Sequence, residues 1–437
     1  MSQLVTTTEL RVVAFGLRRQ QVMDVVRGIT FIGALLLAWI SLRPFVDLGN
    51  QQLKDTTTGN ETMTYLVFGG LAVLTLALAM RDNLRGLATL LTPAYLLFGG
   101  WIATTVVLSV DPATSIKRFA LTACVMAVTA TLMLLPKSQH ELMRWFSIAA
   151  LALLAVCYLG IMLAPHLSVH LATDIQEPQL AGNWRGAFGH KNVAASVMAM
   201  LVFLGIYIVR SGAFLSGGAV IGLASLFLFY SAGKSSLALT FVVLALTSLT
   251  GVVRAFWLRA VMLLSPLVLL VLLSIGTVMS DGLAEIAKML PLDSSFTGRT
   301  EIWTFALQSL QLRLPTGYGF EAFWGTDAIR NVPEGMEWAE YASHSHNGYL
   351  DTALSMGLPG LALLIVVLII VPLRNFQAAD RGGNNGPLTM ALLRIWLFGL
   401  YLSSLESFFL DRADPTWFTF LLAVFGLHYL ARFRVQE

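Results

Sequence analysis

Charged side chains are scarce here: Asp, Glu, Lys and Arg make up only 12% of the 437 residues, whereas a soluble domain carries about 25%. Cysteine is scarcer. Cys124 and Cys157 both fall inside apolar runs and read as small buried hydrophobes, with neither a disulfide framework nor metal-ligand spacing. Low-complexity tracts and convincing internal repeats are missing, as is any polar stretch that reads as a soluble domain. The net charge is only +3. The basic residues lie in short loops between apolar runs, which marks membrane topology rather than a nucleic-acid surface.

What fills the chain instead is hydrocarbon. Hydrophobic residues make up 56% of it and the mean hydropathy is +0.73. Runs of roughly 20 apolar residues, each long enough to span a bilayer as a helix, recur along the whole length. The expected fold is therefore an all-α polytopic membrane protein, a single membrane domain over 1–437. About twelve spans are predicted, near 28–42, 63–80, 87–108, 118–135, 146–164, 193–209, 213–230, 236–252, 256–279, 350–372, 389–409 and 416–430. No small-residue cleavage site follows a short apolar core, so the first run reads as a retained span.

Orientation comes from the short loops. Arg11, Arg18, Arg19 and Arg27 precede the first span, and Arg81 with Arg85, Lys137 with Arg144, Arg254 with Arg259, Arg374 with Arg381, and Arg432 with Arg434 occupy alternate connections. Such enrichment marks the cytoplasmic side, which places both termini there. Two long polar segments, 165–192 and 280–349, then face outward, the larger between spans nine and ten. Within it, Ile302, Phe305, Ala306 and Ser309 form one helical stripe, which predicts an amphipathic helix on the membrane surface.

Three polar clusters share that outer face. "NWRGAFGHKN" (183–192) carries Arg185, His190, Lys191 and Asn192; "SAGKSS" (231–236) carries Lys234; the large loop carries Arg299, His344 and His346. Arginine grips two phosphate oxygens with a planar fork and lysine offers a point charge. A helix start after "GHKN" would add partial positive charge and free N–H groups. Histidine accepts a proton near neutral pH. Together they suit displacement of a diphosphate leaving group by an alcohol.

Plainer roles stand beside these. Arg185 and Lys191 also suit snorkelling anchors, Lys234 a structural turn, and His344 and His346 a solvated loop. His166 and His170 have the i, i+4 spacing of a metal pair, but no further ligand motif accompanies them and Pro165 weakens a helix there, so no metal site is expected. Arg394 and Glu406 sit near the ends of the eleventh run, where snorkelling or an internal pair is favoured over a proton path.

As a set, "RGAFGHKNVAA" (185–195), "TGRTEIW" (297–303), "PTGYGF" (315–320) and "HSHNGYLDTALSMGLPGL" (344–361) resemble the O-antigen ligase and Wzy-type polymerase superfamily. The "GHKN" form is similar to its exopolysaccharide-production, ExoQ-like branch. The resemblance covers roughly 180–365; the N-terminal third agrees only in hydropathy. It implies a GT-C-like glycosyltransferase of the bacterial inner membrane, working at the periplasmic face on glycans carried by undecaprenyl pyrophosphate. The expected reaction is polymerisation of lipid-linked repeat units by an inverting, metal-independent and cofactor-free step. O-antigen ligation to lipid A-core is the alternative, and a polysaccharide flippase is the rival of another class.

By the same resemblance, Arg185 and Arg299 grip the pyrophosphate and His346 activates or orients the acceptor hydroxyl. Lys191, Asn192, Lys234, His344 and Asn347 are expected to bind substrate. Lys234 stands where many relatives have arginine, which leaves its phosphate role open, as is the choice between His344 and His346. The implied partners are the lipid-linked donor, a glycan acceptor, the bilayer, and chain-length regulators and export proteins; nucleic acid is not among them.

Overall fold

The computed structural model describes residues 7–49, 57–175, 177–289, 298–329, 339 and 342–434. Among them the regular elements are helical, with one isolated antiparallel bridge, Val169 to Trp184. Eight helices are long and apolar enough to cross a membrane, and four shorter ones are equally apolar. In chain order they are α1 (Thr7–Ile40), α2 (Thr57–Ala88), α3 (Pro93–Val107), α4 (Pro112–Leu132), α5 (Gln139–Leu163), α6 (Lys191–Arg210), α7 (Phe214–Tyr230), α8 (Lys234–Ser248) and α9 (Phe256–Leu273). After the non-spanning α10 (Arg299–Gln311) come α11, which starts at Gly348 and runs on through Arg381, α12 (Pro387–Leu402) and α13 (Pro415–Leu430). Each of the twelve expected runs has its helix, so the protein is an all-α, multi-pass membrane protein. Segments 290–297, 330–338 and 340–341 of the large loop lie outside the described residues.

The helix starts are written locally. Thr92, Asp111 and Asp414 each precede a proline and accept a backbone N–H three residues on, and Ser138 does the same for Glu141. A polar cap with proline in the first turn satisfies donors that would otherwise be stranded. Burial ranks the helices: 78% of α6 is enclosed by protein but only 17% of α9, so α6 is central and α9 faces lipid. Van der Waals packing drives association where both solvent and protein are apolar, so small residues mark the tightest seams. At the α6–α7 hairpin a Cβ on Gly205 would meet Ile221 at 2.7 Å, and one on Gly217 would meet Val209 N at 2.6 Å. Buried polar tips find backbone or hydroxyl partners, as hydrocarbon demands. Trp39 donates to Thr419 Oγ1 (2.9 Å), Trp396 to Leu368 O (2.7 Å) and Tyr401 to Leu263 O (2.6 Å).

α11 is broken at Gly357, whose φ of 68° and ψ of −177° lie outside the helical region, with Pro359 just beyond. The break strands carbonyls, and neighbours take them. Tyr318 N bonds Leu354 O (2.7 Å), Gly319 N bonds Ser355 O (3.1 Å), and Trp101 Nε1 bonds Met356 O (2.9 Å). In return Leu358 N donates to Leu314 O at 2.8 Å. The "PTGYGF" turn is thus sewn into the gap in the helix.

Two differences from expectation follow from tertiary bonds. α12 ends at Leu402, short of the 409 expected, because the start of α11 caps it: Gly348 N donates to Ser403 O (2.8 Å) and Asn347 Nδ2 to Ser404 O (2.9 Å). Glu406 therefore lies in a loop outside the spans. The apolar stripe of α10, expected on the membrane surface, instead turns inward. Ile302, Trp303, Phe305, Ala306 and Leu310 pack with Phe323, Trp324, Leu350, Ala353 and Leu354 in a second, smaller core.

Candidate active site

The connections divide between two ends of the bundle. At one end Lys137 pairs with Asp24 (2.7 Å), Arg27 with Asp82 (3.3 Å), and Arg432 with Asn375 (3.1 Å). At the other the loops after α1, α3, α5, α7, α9 and α12 interlock. Arg185 reaches Val46 O (2.6 Å), Val110 N reaches Tyr318 O (2.9 Å), and Lys191 Nζ reaches Ala232 O (3.2 Å). The polar clusters of the sequence meet at this second end.

Glu406 joins them. Its Oε1 accepts from Arg299 Nη2 (3.1 Å) and Asn192 Nδ2 (3.0 Å), and its Oε2 lies 3.3 Å from His346 Nδ1. Burial pushes this carboxyl upward, but the His346 hydrogen bond and the charges of Arg299 and the two imidazoles outweigh it, holding Glu406 down at about 2. It is an anion at every physiological pH. Arg299 Nη1 also donates to Leu405 O (2.6 Å). A guanidinium has five N–H groups, so three remain for another acceptor, and the side chain keeps 21% of its surface open.

The "HSHNG" stretch is set from several sides. Asn347 caps α11, accepting from Tyr349 N and Leu350 N (both 3.1 Å), and Ser345 O accepts from Trp303 Nε1 (2.8 Å). His346 has a φ of 55°, a left-handed conformation that only surrounding bonds maintain in a non-glycine residue. That reversal brings the two rings to 4.2 Å between centroids, and His346 N donates to His344 Nδ1 at 3.2 Å. With Nδ1 turned to Glu406, His346 Nε2 has no hydrogen-bond partner among the described residues. His344 faces the other way, into a cavity of about 170 Å³ shared with Arg118, Glu321, Trp324, Asp351 and Asp411. Burial and then the charge of His346 push its pKa below the ordinary range.

The first outer loop meets this centre through His190, a member of the sequence cluster given no role of its own, and His170, weighed in the sequence only as half of a metal pair. His190 Nε2 pairs with Glu177 (2.8 Å), while its Nδ1 accepts from Asn192 N (3.1 Å). His170 Nδ1 pairs with Asp174 (2.8 Å), and its Nε2 accepts from Lys191 N (3.3 Å). The N–H groups of Lys191 and Asn192, expected to be free at the start of α6, are thus taken by imidazoles. The helix containing His166 ends at Ser168, so His166 and His170 do not share it. Lys191 lies within electrostatic reach of Glu406, Glu177 and Lys234, and Lys234 itself is exposed.

Arg185, expected to grip an anion, is wholly buried. Its guanidinium is held by the protein's own carbonyls, Val46 O at 2.6 Å and Phe188 O at 3.2 Å. Arg299, His346, Asn192, Lys191 and Lys234 come together; Arg185 stands beneath them, where its charge is felt at His170. Glu406, read from the sequence as a snorkelling or internally paired acid, is the site residue that was not expected. The signal for it was present, since an acid in an apolar run marks a functional position by default.

In the small cavity, burial and the neighbouring Asp411 push Glu321 up to about 8, and at the start of α13 burial with Asp411 pushes Asp414 to about 7. Both carboxyls bind protons more tightly when folded than unfolded, so they stabilise the fold at low pH and lose that contribution as pH rises through about 7 to 8. The thermal midpoint of purified protein should fall between pH 6 and 9, and Glu321→Gln should flatten that slope; an unchanged slope would contradict the assignment.

The fold and the site together define a polytopic helical membrane protein with arginine, lysine and histidine gathered around one half-buried carboxylate at a single end of its bundle. Comparison with known proteins sharpens that class. Residues 219–365, about a third of the chain, match the family model described as O-Antigen ligase. The chain is also 31% identical over 80 residues to the exopolysaccharide production protein ExoQ of Rhizobium meliloti (strain 1021), a stretch covering 18% of each protein. The resemblance to the O-antigen ligase superfamily and its exopolysaccharide branch therefore holds. Lys234, Arg299, His344, His346 and Asn347 fall inside the family match; Arg185, Lys191, Asn192 and Glu406 fall outside it.

Proposed function

We propose that this protein joins lipid-linked oligosaccharide repeat units into exopolysaccharide at the extracytoplasmic face of a bacterial inner membrane, with both termini in the cytoplasm. The observation that carries the reading is the Glu406 network, which ties Arg299, His346 and Asn192 from three distant segments into one cationic site. The donor is a glycan on undecaprenyl pyrophosphate. An acceptor sugar hydroxyl attacks the anomeric carbon from the face opposite the diphosphate. The new bond joins hydroxyl oxygen to that carbon, the carbon–phosphate oxygen bond breaks, and the electron pair leaves on the diphosphate. His346 Nε2 takes the hydroxyl proton, a contribution of about 10²–10⁴-fold. Arg299, Lys191 and Lys234 meet the charge growing on the diphosphate, which supplies the stabilisation a metal would otherwise give. A single displacement inverts the anomeric centre. Arg185 we assign a positioning role: it fixes the turn that leads into His190 and Lys191.

The test is chain extension by purified, reconstituted protein on a lipid-linked repeat unit. Arg299→Ala and His346→Ala should each abolish lengthening in protein that still elutes as a folded species; normal lengthening in both would refute the assigned roles. The match to O-Antigen ligase favours a second reading, transfer of finished glycan to lipid A-core. A deletion strain separates them: single repeats accumulating on the carrier mean polymerase, and full-length polymer left on the carrier means ligase.

A further inference from the structure

At the opposite end of the bundle lies a larger cavity, about 820 Å³, between α1, α2, the loop after α4 and the end of α13. That volume falls in the roughly 300–1,000 Å³ range of ligand sites. Cations outnumber acids along it. Arg27, Arg81, Lys137 and Arg434 line it against Asp82, which pairs with Arg27 (3.3 Å) and Arg81 (3.7 Å), while Asp24 pairs with Arg27 (3.1 Å) and Lys137 (2.7 Å). Arg27 is 6% exposed and is shared between two acids, its Nη2 3.1 Å from Asp24 and its Nε 3.3 Å from Asp82. Arg81 and Arg434 are exposed cavity-lining cations, open to an external acceptor.

The same helices supply an apolar flank. Val22 and Val25 on α1 and Met80 and Leu84 on α2 are 60%, 60%, 49% and 64% exposed, as suits side chains facing acyl chains, while Met23, Leu135 and Phe433 line the cavity itself. We infer that this cavity binds the headgroup of an anionic phospholipid, its phosphodiester held by Arg27, Arg81 and Arg434 and its acyl chains lying along the exposed faces of α1 and α2. A soluble phosphate would meet the same cations but leave the apolar flank unused. The site lies at the arginine-rich end that fixes orientation, where anionic leaflet lipids attract basic groups. It is independent of the glycan chemistry at the other end.

Native mass spectrometry of the full chain, delipidated and then titrated, tests this with phosphatidylglycerol, phosphatidylcholine and glycerol phosphate as probes. Phosphatidylglycerol should be retained well above phosphatidylcholine. The double variant Arg81→Ala with Arg434→Ala, both exposed positions, should weaken that retention about 30-fold, each cation near an anionic surface being worth roughly fivefold. Arg85→Ala, exposed and outside the cavity, should leave it unchanged. Equal retention of both lipids, no loss in the double variant, or an equal loss in Arg85→Ala would overturn the site. Glycerol phosphate binding as tightly as phosphatidylglycerol would overturn the lipid assignment.

Discussion

Glu406→Gln should lower glycan transfer by about 10²–10³-fold, the scale of losing one preorganised partner in a charge-stabilising site, while leaving a folded membrane protein. Glutamine keeps the shape and one acceptor oxygen, so Arg299 and Asn192 retain a partner. It loses the negative charge that sets His346 and Arg299 side by side, only 3.3 and 3.1 Å from its oxygens. Because Glu406 acts through those two residues, Glu406→Asp should recover part of the rate. A purely structural role would instead lower folded yield in step with activity. Turnover on lipid-linked repeat units, normalised to protein eluting as a single species, checks it; unaltered turnover in Glu406→Gln would remove the carboxylate from the mechanism.

The second large effect is on folding. Arg185→Ala strips the donors from Val46 O and Phe188 O in a fully buried place. Each orphaned carbonyl costs about 1–3 kcal/mol, a serious share of the roughly 5–15 kcal/mol that holds a typical protein folded. The yield of folded protein and its thermal midpoint should both drop sharply. Arg185→Lys should rescue little, since an ammonium lacks the planar fork that spans two separate carbonyls. Arg185→Ala that stays stable yet loses all transfer would show that Arg185 touches substrate after all.

These two residues mark where the sequence could be read and where it could not. The spans were legible because bilayer thickness fixes their length and nothing else in a chain produces so many runs of that size. Which connections share one end of the bundle was legible because basic residues occupy alternate loops. The cationic cluster was legible as residue types, and Arg299, His346 and Asn192 do meet. Acceptors were not legible. A buried arginine held by two backbone carbonyls looks, in a string of letters, the same as one waiting for a phosphate. Nor does hydropathy reveal that α12 stops at Leu402, since that end is made by Asn347 and Gly348 from another segment. That unseen ending set Glu406 inside an apolar run, where it read as a snorkelling or paired acid rather than as part of the site. The left-handed turn at His346, which separates the tasks of its ring from those of His344, likewise comes from bonds to distant partners.

The interruption at Gly357 has a mechanical consequence. Leu314, Tyr318 and Gly319 on one side and Leu354, Ser355 and Leu358 on the other form a clasp of three backbone bonds, with Trp101 as its pin. Because that clasp grips α11 on both sides of the gap, and the end that carries the imidazoles is tied to α12 through Gly348 and Asn347, the break is braced rather than left as a free hinge.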